Sequence, residues 1–309
     1  MSSLPAAFDA RVTASHGREL RVRLASGQEL RARPAGRDLT VVCGDTVRCE
    51  YDAHHDQISV VAVQSRRTAL QRSNARGRSE LVAANLSLLV VVVAPRPQPD
   101  FFVLDRYLAA ARCAGMAALV VANKCDLGFE DADSAELDAL AAAGHPYLAV
   151  SALTGRGIPE LRQQLHGQTA MLAGQSGTGK SSLLRVLAPG SEAATGELMR
   201  TTGEGRHTTT TARLYEVPGG GELIDSPGVR DFAPAIDALE PRALGFTEIE
   251  SLHNGCRFAD CRHLREPDCA VRTAVDQGRI SHRRYESYRR LRRLYEDLSA
   301  LRPPGRGSG

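Results

Sequence analysis

Five short runs of the chain hold residue types at spacings that chemistry requires. The first, Gly174 to Ser181, reads GQSGTGKS and fits G-x-x-x-x-G-K-[ST] between a strand and a helix. Its glycines, Gly174, Gly177 and Gly179, let backbone N–H groups converge on phosphate oxygens. Gln175, Ser176, Thr178 and Ser182 complete the lining. The helix that follows aims the positive end of its dipole at the same charge. Lys180 would reach the β- and γ-phosphates, and the Ser181 hydroxyl would bind Mg²⁺. The second run is NKCD, Asn123 to Asp126. Asp126 can accept two hydrogen bonds, from N1–H and the N2 amino group of guanine. Adenine lacks that donor pair and would leave the carboxylate unpaired. Asn123 would buttress the loop and the Lys124 stem would cover the base, with Cys125 between Lys124 and Asp126.

The third run, SALTG from Ser151 to Gly155, would offer the backbone N–H of Ala152 to guanine O6. The fourth is DSPG, Asp225 to Gly228. Asp225 would hold Mg²⁺ through water, and the Gly228 N–H would meet the γ-phosphate. NKCD alone is a weak four-residue pattern that also reads as a solvated polar loop, and SALTG and DSPG are short. Together, at the ends of four strands, they are far more specific. The fifth run, C-x4-C-x-H-x5-C, places Cys256, Cys261, His263 and Cys269. Three thiolates and one imidazole suit a closed tetrahedral Zn²⁺ site with no open position for catalysis. In a small polar segment the metal would substitute for a core. Disulfides are the rival reading, and His253 is a nearby spare ligand ranked below His263.

The chain has 39 Lys and Arg residues, but its only lysines are Lys124 and Lys180. Both lie inside these runs, where a compact ammonium on a slim stem does what a broad guanidinium cannot. The order of the runs is also informative. The guanine motif and SALTG come first, then the phosphate loop and DSPG, whereas a GTPase ordinarily begins with its phosphate loop. The pattern is that of a GTPase domain whose chain is circularly permuted, which is feasible because domain termini often lie close together.

These loops need a parallel sheet to hold them. LSLLVVVVA, Leu86 to Ala94, reads as a buried parallel strand and is too short to span a bilayer. Phe101 to Gly115 has helical apolar spacing, and a second helix is expected from a Ser134 cap to Gly144. Strands are expected to lead into NKCD, SALTG, the phosphate loop and DSPG. Before this α/β region lie short alternating segments, LRVRL, ELRARP, LTVVCGDTVRCEY and QISVVAV, which predict a small all-β, OB-like barrel. Gln64 to Ser79 reads as an Arg-rich linker or strap. After the α/β region come the Cys/His cluster and a helix with an apolar stripe through Tyr285, Tyr288 and Leu291 and Arg on its remaining face. The expected domains are 1–75, 76–233 and 234–309, with a disordered end at RPPGRGSG.

Charge follows the same division. Residues 1–78 hold 13 Arg against 8 acidic residues, and residues 271–309 hold 10 Arg against 4, while the whole chain carries only +3. Basic flanks on an acidic centre suggest a polyanionic partner, against the plainer reading of two solvated faces. Seven cysteines without a secretory leader point to a reduced, cytoplasmic compartment. Cys43, Cys49, Cys113 and Cys125 read as packing residues.

NKCD, SALTG, GQSGTGKSSL, GRHTTT, IDSPGVRDF and CRFADCRHLREPDCAV together resemble the ribosome small subunit-dependent GTPase A (RsgA) family over nearly the whole chain. The resemblance implies an OB-fold, a permuted GTPase domain and a zinc domain. It implies a GTP phosphohydrolase that binds the small ribosomal subunit and its rRNA, acts late in that subunit's maturation and yields GDP and phosphate. It also implies that a threonine of the run Thr208, Thr209, Thr210 completes the Mg²⁺ shell. Val229 follows DSPG where many GTPases carry a water-orienting Gln, and His207 is the candidate substitute. A monomer without membrane attachment is expected. The second reading is an RNA-binding scaffold in which GTP is structural and its hydrolysis incidental.

Overall fold

The computed structural model describes residues 4–73, 79–191, 212–226, 235 and 239–300. Five strands form the N-terminal barrel: β1 (Ala7–His16), β2 (Glu19–Arg23), β3 (Glu29–Pro34), β4 (Thr46–Asp52) and β5 (Gln57–Val63). They pair in the order β1-β2-β3-β5-β4, and β1 pairs with β4 to close the ring. Only the β3–β5 pairing is parallel. Val12, Leu20, Val22, Val47, Cys49 and Val60 fill the interior.

The barrel differs from the sequence expectation in three places. The alternating segments omit β1, although it is the strand on which the ring closes. Its pattern is masked because Val12, Thr13 and Ala14 are all buried, which breaks period-two alternation. Leu39 to Gly44 is loop rather than strand, because the Asp45 carboxylate accepts from Val42 N at 2.9 Å and pairs with Arg66. Within Gln64 to Ser79, β6 (Ala69–Ser73) pairs with β7 (Ser79–Ala84) as a separate antiparallel hairpin.

The central sheet follows. Strands β8 (Leu88–Val93), β9 (Ala117–Ala122), β10 (Tyr147–Ala149), β11 (Thr169–Ala173), β12 (Ala212–Glu216) and β13 (Glu222–Asp225) lie in the order β10-β9-β8-β11-β13-β12. Only β12 runs antiparallel to its neighbours. β8 is buried along its whole length, as a central strand covered on both faces must be. One face packs on α1 (Phe101–Cys113) and α2 (Asp131–Ala142), the other on α3 (Ile158–Leu165) and α4 (Lys180–Leu187). Asp100 caps α1, accepting from Phe102 N and Val103 N. α2 begins at Asp131, before the expected Ser134 cap, and its first turn carries Asp131 and Asp133, which suit the helix dipole.

The barrel and the central sheet are one hydrogen-bonded structure. β12 pairs with β1 at Ala14–Arg213 and Ser15–Ala212. Arg11 bridges to Glu222 at 2.7 Å and donates to Thr169 Oγ1, while Arg23 bridges to Glu216 and Glu222.

The C-terminal region packs α5 (Thr247–Leu252), α6 (Ala270–Asp276) and α7 (His282–Ala300) against the outer side of α1. Phe246, Ile249, Val271, Tyr288 and Leu291 form its apolar cluster. The arginines of α7 do not all face water, as the amphipathic reading expected. Arg284 and Arg292 are buried. Arg284 pairs with Asp105 of α1 and Glu248 of α5, and Arg283 reaches Asp105 at 2.6 Å. Arg292 donates to the carbonyls of Pro241 and Arg242. No helix among the described residues is long and apolar enough to cross a membrane.

Candidate nucleotide and metal sites

Each motif of the central sheet sits at the C-terminal end of a parallel strand. The phosphate loop follows β11, NKCD follows β9, SALTG follows β10 and Asp225 ends β13. This is where ligands bind in open α/β sheets. The phosphate loop needs glycine on steric grounds. Gly174 has φ +135°, and a Cβ there would meet Val92 O at 2.2 Å. Gly179 has φ +94°, and a Cβ there would lie 2.3 Å from Asn123 Nδ2.

That second approach exists because Asn123 ties three loops together. Its buried side chain donates to Thr178 O at 2.8 Å and accepts from Ala152 N at 3.2 Å. Lys124, at φ +56°, donates to Gly177 O at 2.7 Å and Arg96 O at 2.8 Å. The base-selecting loops are thereby locked to the phosphate loop. Cys125 and Asp126 begin a single 3-10 turn, and Asp126 is exposed. Ser151 is buried, and its hydroxyl accepts from Thr154 N.

Lys180 opens α4 and is itself buried, with Nζ donating to Gly174 O at 2.8 Å and Gln175 O at 2.7 Å. Its ammonium therefore rests inside the loop it would share with phosphate. The Thr178 hydroxyl also closes on Gln175 O, at 2.9 Å. Ser176 is exposed, and Ser181 and Ser182 lie in the first turn of α4. Asp225 is half-buried and stands in register with Arg213. Gly228, His207, Thr208, Thr209 and Thr210 lie outside the described residues, as does the terminal RPPGRGSG.

One contributor escaped the motif reading, the segment after β8. Arg96 supplies a carbonyl to Lys124, the Pro97 ring lies under Gly177, and Asp100 N donates to Gln175 Oε1 at 3.3 Å. Its sequence, APRPQPD, signals a stiff connection but carries no motif.

Cys256, Cys261, His263 and Cys269 converge, with all four candidate ligand atoms within 4.8 Å of one another. His263 Nδ1 lies 3.5 Å from Cys256 Sγ and 3.4 Å from Cys269 Sγ. All seven cysteines are free thiols, so the disulfide reading fails here. Burial, then nearby His253 and Arg292, lowers the His263 pKa to about 4, which keeps its lone pair available at neutral pH. Burial and the neighbouring sulfurs push Cys261 up to about 12. Three close thiols beside a neutral imidazole are the donor set a borderline-soft dication would complete, and the set fits one such ion. The loop carrying them is held by Glu266, which accepts from Arg262 N, Leu264 N and Arg265 N. Tyr288 donates to Arg262 O and Tyr285 to His263 O.

Comparison with known proteins agrees with this geometry. The family model described as RsgA GTPase matches residues 63–234. The small ribosomal subunit biogenesis GTPase RsgA of Pseudomonas aeruginosa (strain LESB58) is 42% identical over 285 residues, spanning 91% of this chain and 83% of its own. The protein of the same name from Azotobacter vinelandii is 48% identical over 236 residues, spanning 75% of this chain and 68% of its own. Among solved structures, YjeQ from Thermotoga maritima superposes with a TM-score of 0.72 at 27% identity, covering 96% of this chain and all of its own. YloQ, a circularly permuted GTPase, gives a TM-score of 0.70 at 20% identity, covering 97% of each chain, a likeness of fold alone.

Proposed function

The chain belongs to the RsgA GTPase family, and from that premise we propose that it hydrolyses GTP to GDP and phosphate on the small ribosomal subunit, late in that subunit's maturation. The observation that carries the nucleotide assignment is the Asn123 side chain. One buried amide holds the phosphate loop, the NKCD loop and the SALTG loop in a single constellation.

In this reading Asp126 accepts the N1–H and N2 amino hydrogens of guanine. The Lys124 stem covers the base, and Ala152 N–H turns from Asn123 toward O6. The N–H groups from Gly174 to Ser182 cradle the phosphates. Lys180 exchanges two carbonyl partners of its own loop for β- and γ-phosphate oxygens, a stronger, charge-assisted pairing. Ser181 and Asp225 would hold Mg²⁺, which when bound neutralises charge developing on the phosphates. Gly228 would meet the γ-phosphate, one of Thr208, Thr209 or Thr210 would complete the Mg²⁺ shell, and His207 would orient the attacking water.

We further propose that Cys256, Cys261, His263 and Cys269 hold one structural Zn²⁺. The barrel and the Arg-rich C-terminal region would grip rRNA from two sides. The divisions 1–75, 76–233 and 234–309, a monomeric state and a cytoplasmic location complete the proposal.

GTP turnover with and without purified small subunits tests it. Slow turnover alone and a rise on the order of 10³ with subunits is expected, because a partner that orders a catalytic loop acts on that scale. Equal turnover in both would favour the scaffold reading instead.

A further inference from the structure

His253 is none of the four clustered ligands, yet it is built into their site. It opens the short turn His253–Gly255 directly after α5. The ring is 6% exposed and stands edge-on to that of His263, with centroids 5.2 Å apart and planes at 85°. Both of its nitrogens are engaged. Nδ1 lies 3.1 Å from His263 Nε2, and Nε2 lies 3.0 Å from the Ala259 carbonyl oxygen.

These contacts determine where the hydrogens sit. A carbonyl oxygen only accepts, so His253 Nε2 must carry a hydrogen. In the neutral ring Nδ1 is then an acceptor, and His263 Nε2 must be its donor. His263 is left with its lone pair on Nδ1, the atom that faces Cys256 Sγ at 3.5 Å and Cys269 Sγ at 3.4 Å. The opposite tautomer would aim a hydrogen at the sulfurs and leave His263 unable to ligate through that atom.

We propose that His253 is the positioning residue of the metal centre, relaying the Ala259 carbonyl to His263 so that His263 presents its Nδ1 lone pair to the ion. The role rests on the Zn²⁺ reading above. It fits the general behaviour of metal-bound imidazoles, whose second nitrogen donates to a group that fixes tautomer and ring orientation. Because both His253 nitrogens are occupied, the residue acts behind the ligand rather than as an alternative to it.

The test uses the full-length, zinc-loaded chain. Zinc affinity is measured by chelator competition for the parent, His253→Phe and His253→Asn, with GTP affinity as the control for folding. Phe retains an aromatic ring and removes the acceptor. Asn places an oxygen close to where Nδ1 stood. We expect His253→Phe to weaken zinc by about 10- to 100-fold, His253→Asn to recover most of that loss, and GTP affinity to stay at the parent value. Long-range proton–nitrogen NMR of the zinc-loaded parent should show His253 with its hydrogen on Nε2, a readout that needs no variant to fold. Parent-like zinc affinity in His253→Phe, equal weakness of the Phe and Asn variants, or a hydrogen on His253 Nδ1 would overturn the role of His253 alone. A parent chain that binds no zinc would overturn the metal reading and this proposal with it.

Discussion

The nucleotide site and the metal centre are built in opposite ways. The hydrogen bonds that assemble the candidate nucleotide site join residues 29, 53 and 55 positions apart, brought together at the ends of β9, β10 and β11. The candidate metal centre would take its ligands from the single stretch Cys256 to Cys269. Between Asn254 and Cys269 the only buried residues are Cys261, His263 and Cys269, all of them proposed ligands. The first site is thus held by the fold, while in the second the site must hold the fold. The helices around it are another matter, since α5, α6 and α7 share an apolar cluster of their own. In the proposed reading the metal would substitute for a core in the loop, not in the whole C-terminal region.

The largest expected effect follows from that contrast. Chelation should strip hydrogen-exchange protection from the segment between Asn254 and Cys269, because a metal-nucleated loop without the metal has no other buried side chains. α7 should stay protected on α1, and GTP affinity should be unchanged. Loss of GTP binding on chelation would erase the distinction between the two sites.

Next comes the anchor of α7. Arg284 is buried against Asp105 and Glu248. Arg284→Met would leave the buried Asp105 carboxylate and the half-buried Glu248 carboxylate short of their partner, at a cost of about 3–5 kcal/mol. Denaturant unfolding followed by a C-terminal probe should show this loss while zinc content is retained. An unaffected midpoint would mean that the metal, not the ion pairs, docks the region.

A smaller effect is expected from Asn123→Ala. It removes the partners of Thr178 O and Ala152 N and should cost about 2 kcal/mol. The loss should appear both in thermal stability and as weaker GTP binding, with zinc content unchanged.

The smallest effect concerns Glu266. Burial opposes its ionisation, but the backbone N–H groups around it prevail and lower its pKa from 4.5 to about 2. A depressed carboxylate pKa stabilises above the unfolded value and loses that contribution as pH falls through the folded one. The parent should therefore lose stability between about pH 4.5 and 2 more steeply than Glu266→Gln. Taking the difference between the two proteins cancels the titrations they share.

The same contrast explains what was legible in the sequence. Both candidate sites could be proposed from the sequence because the residues that would carry their chemistry lie in short runs. A phosphate loop, NKCD and C-x4-C-x-H-x5-C each declare residue types at fixed local spacing. The loops' positions at strand ends were legible too, because apolar runs such as Ala117–Ala122 before NKCD precede them. Long-range features were not. β1 shows no clean alternation, since Val12, Thr13 and Ala14 are buried where the barrel joins the central sheet. The β6–β7 hairpin is too polar to announce itself as strand. The inward turn of Arg284 depends on Asp105, 179 residues away. The segment after β8 supports the phosphate loop through the Arg96 carbonyl and the Pro97 ring, contacts that leave no motif.

If these strand-end loops select guanine, exchanging one atom of Asp126 should change the base the site accepts. The measurement is the binding of GTP and of xanthosine triphosphate to the parent and to Asp126→Asn. The parent should prefer GTP. In Asp126→Asn, GTP should weaken by about 100-fold or more, as expected when a site built to hydrogen-bond one edge meets the wrong one. Xanthosine triphosphate, which carries an acceptor where guanine carries its amino group, should become the preferred ligand. GTP binding to Asp126→Asn as tightly as to the parent would mean that these loops do not select guanine through Asp126.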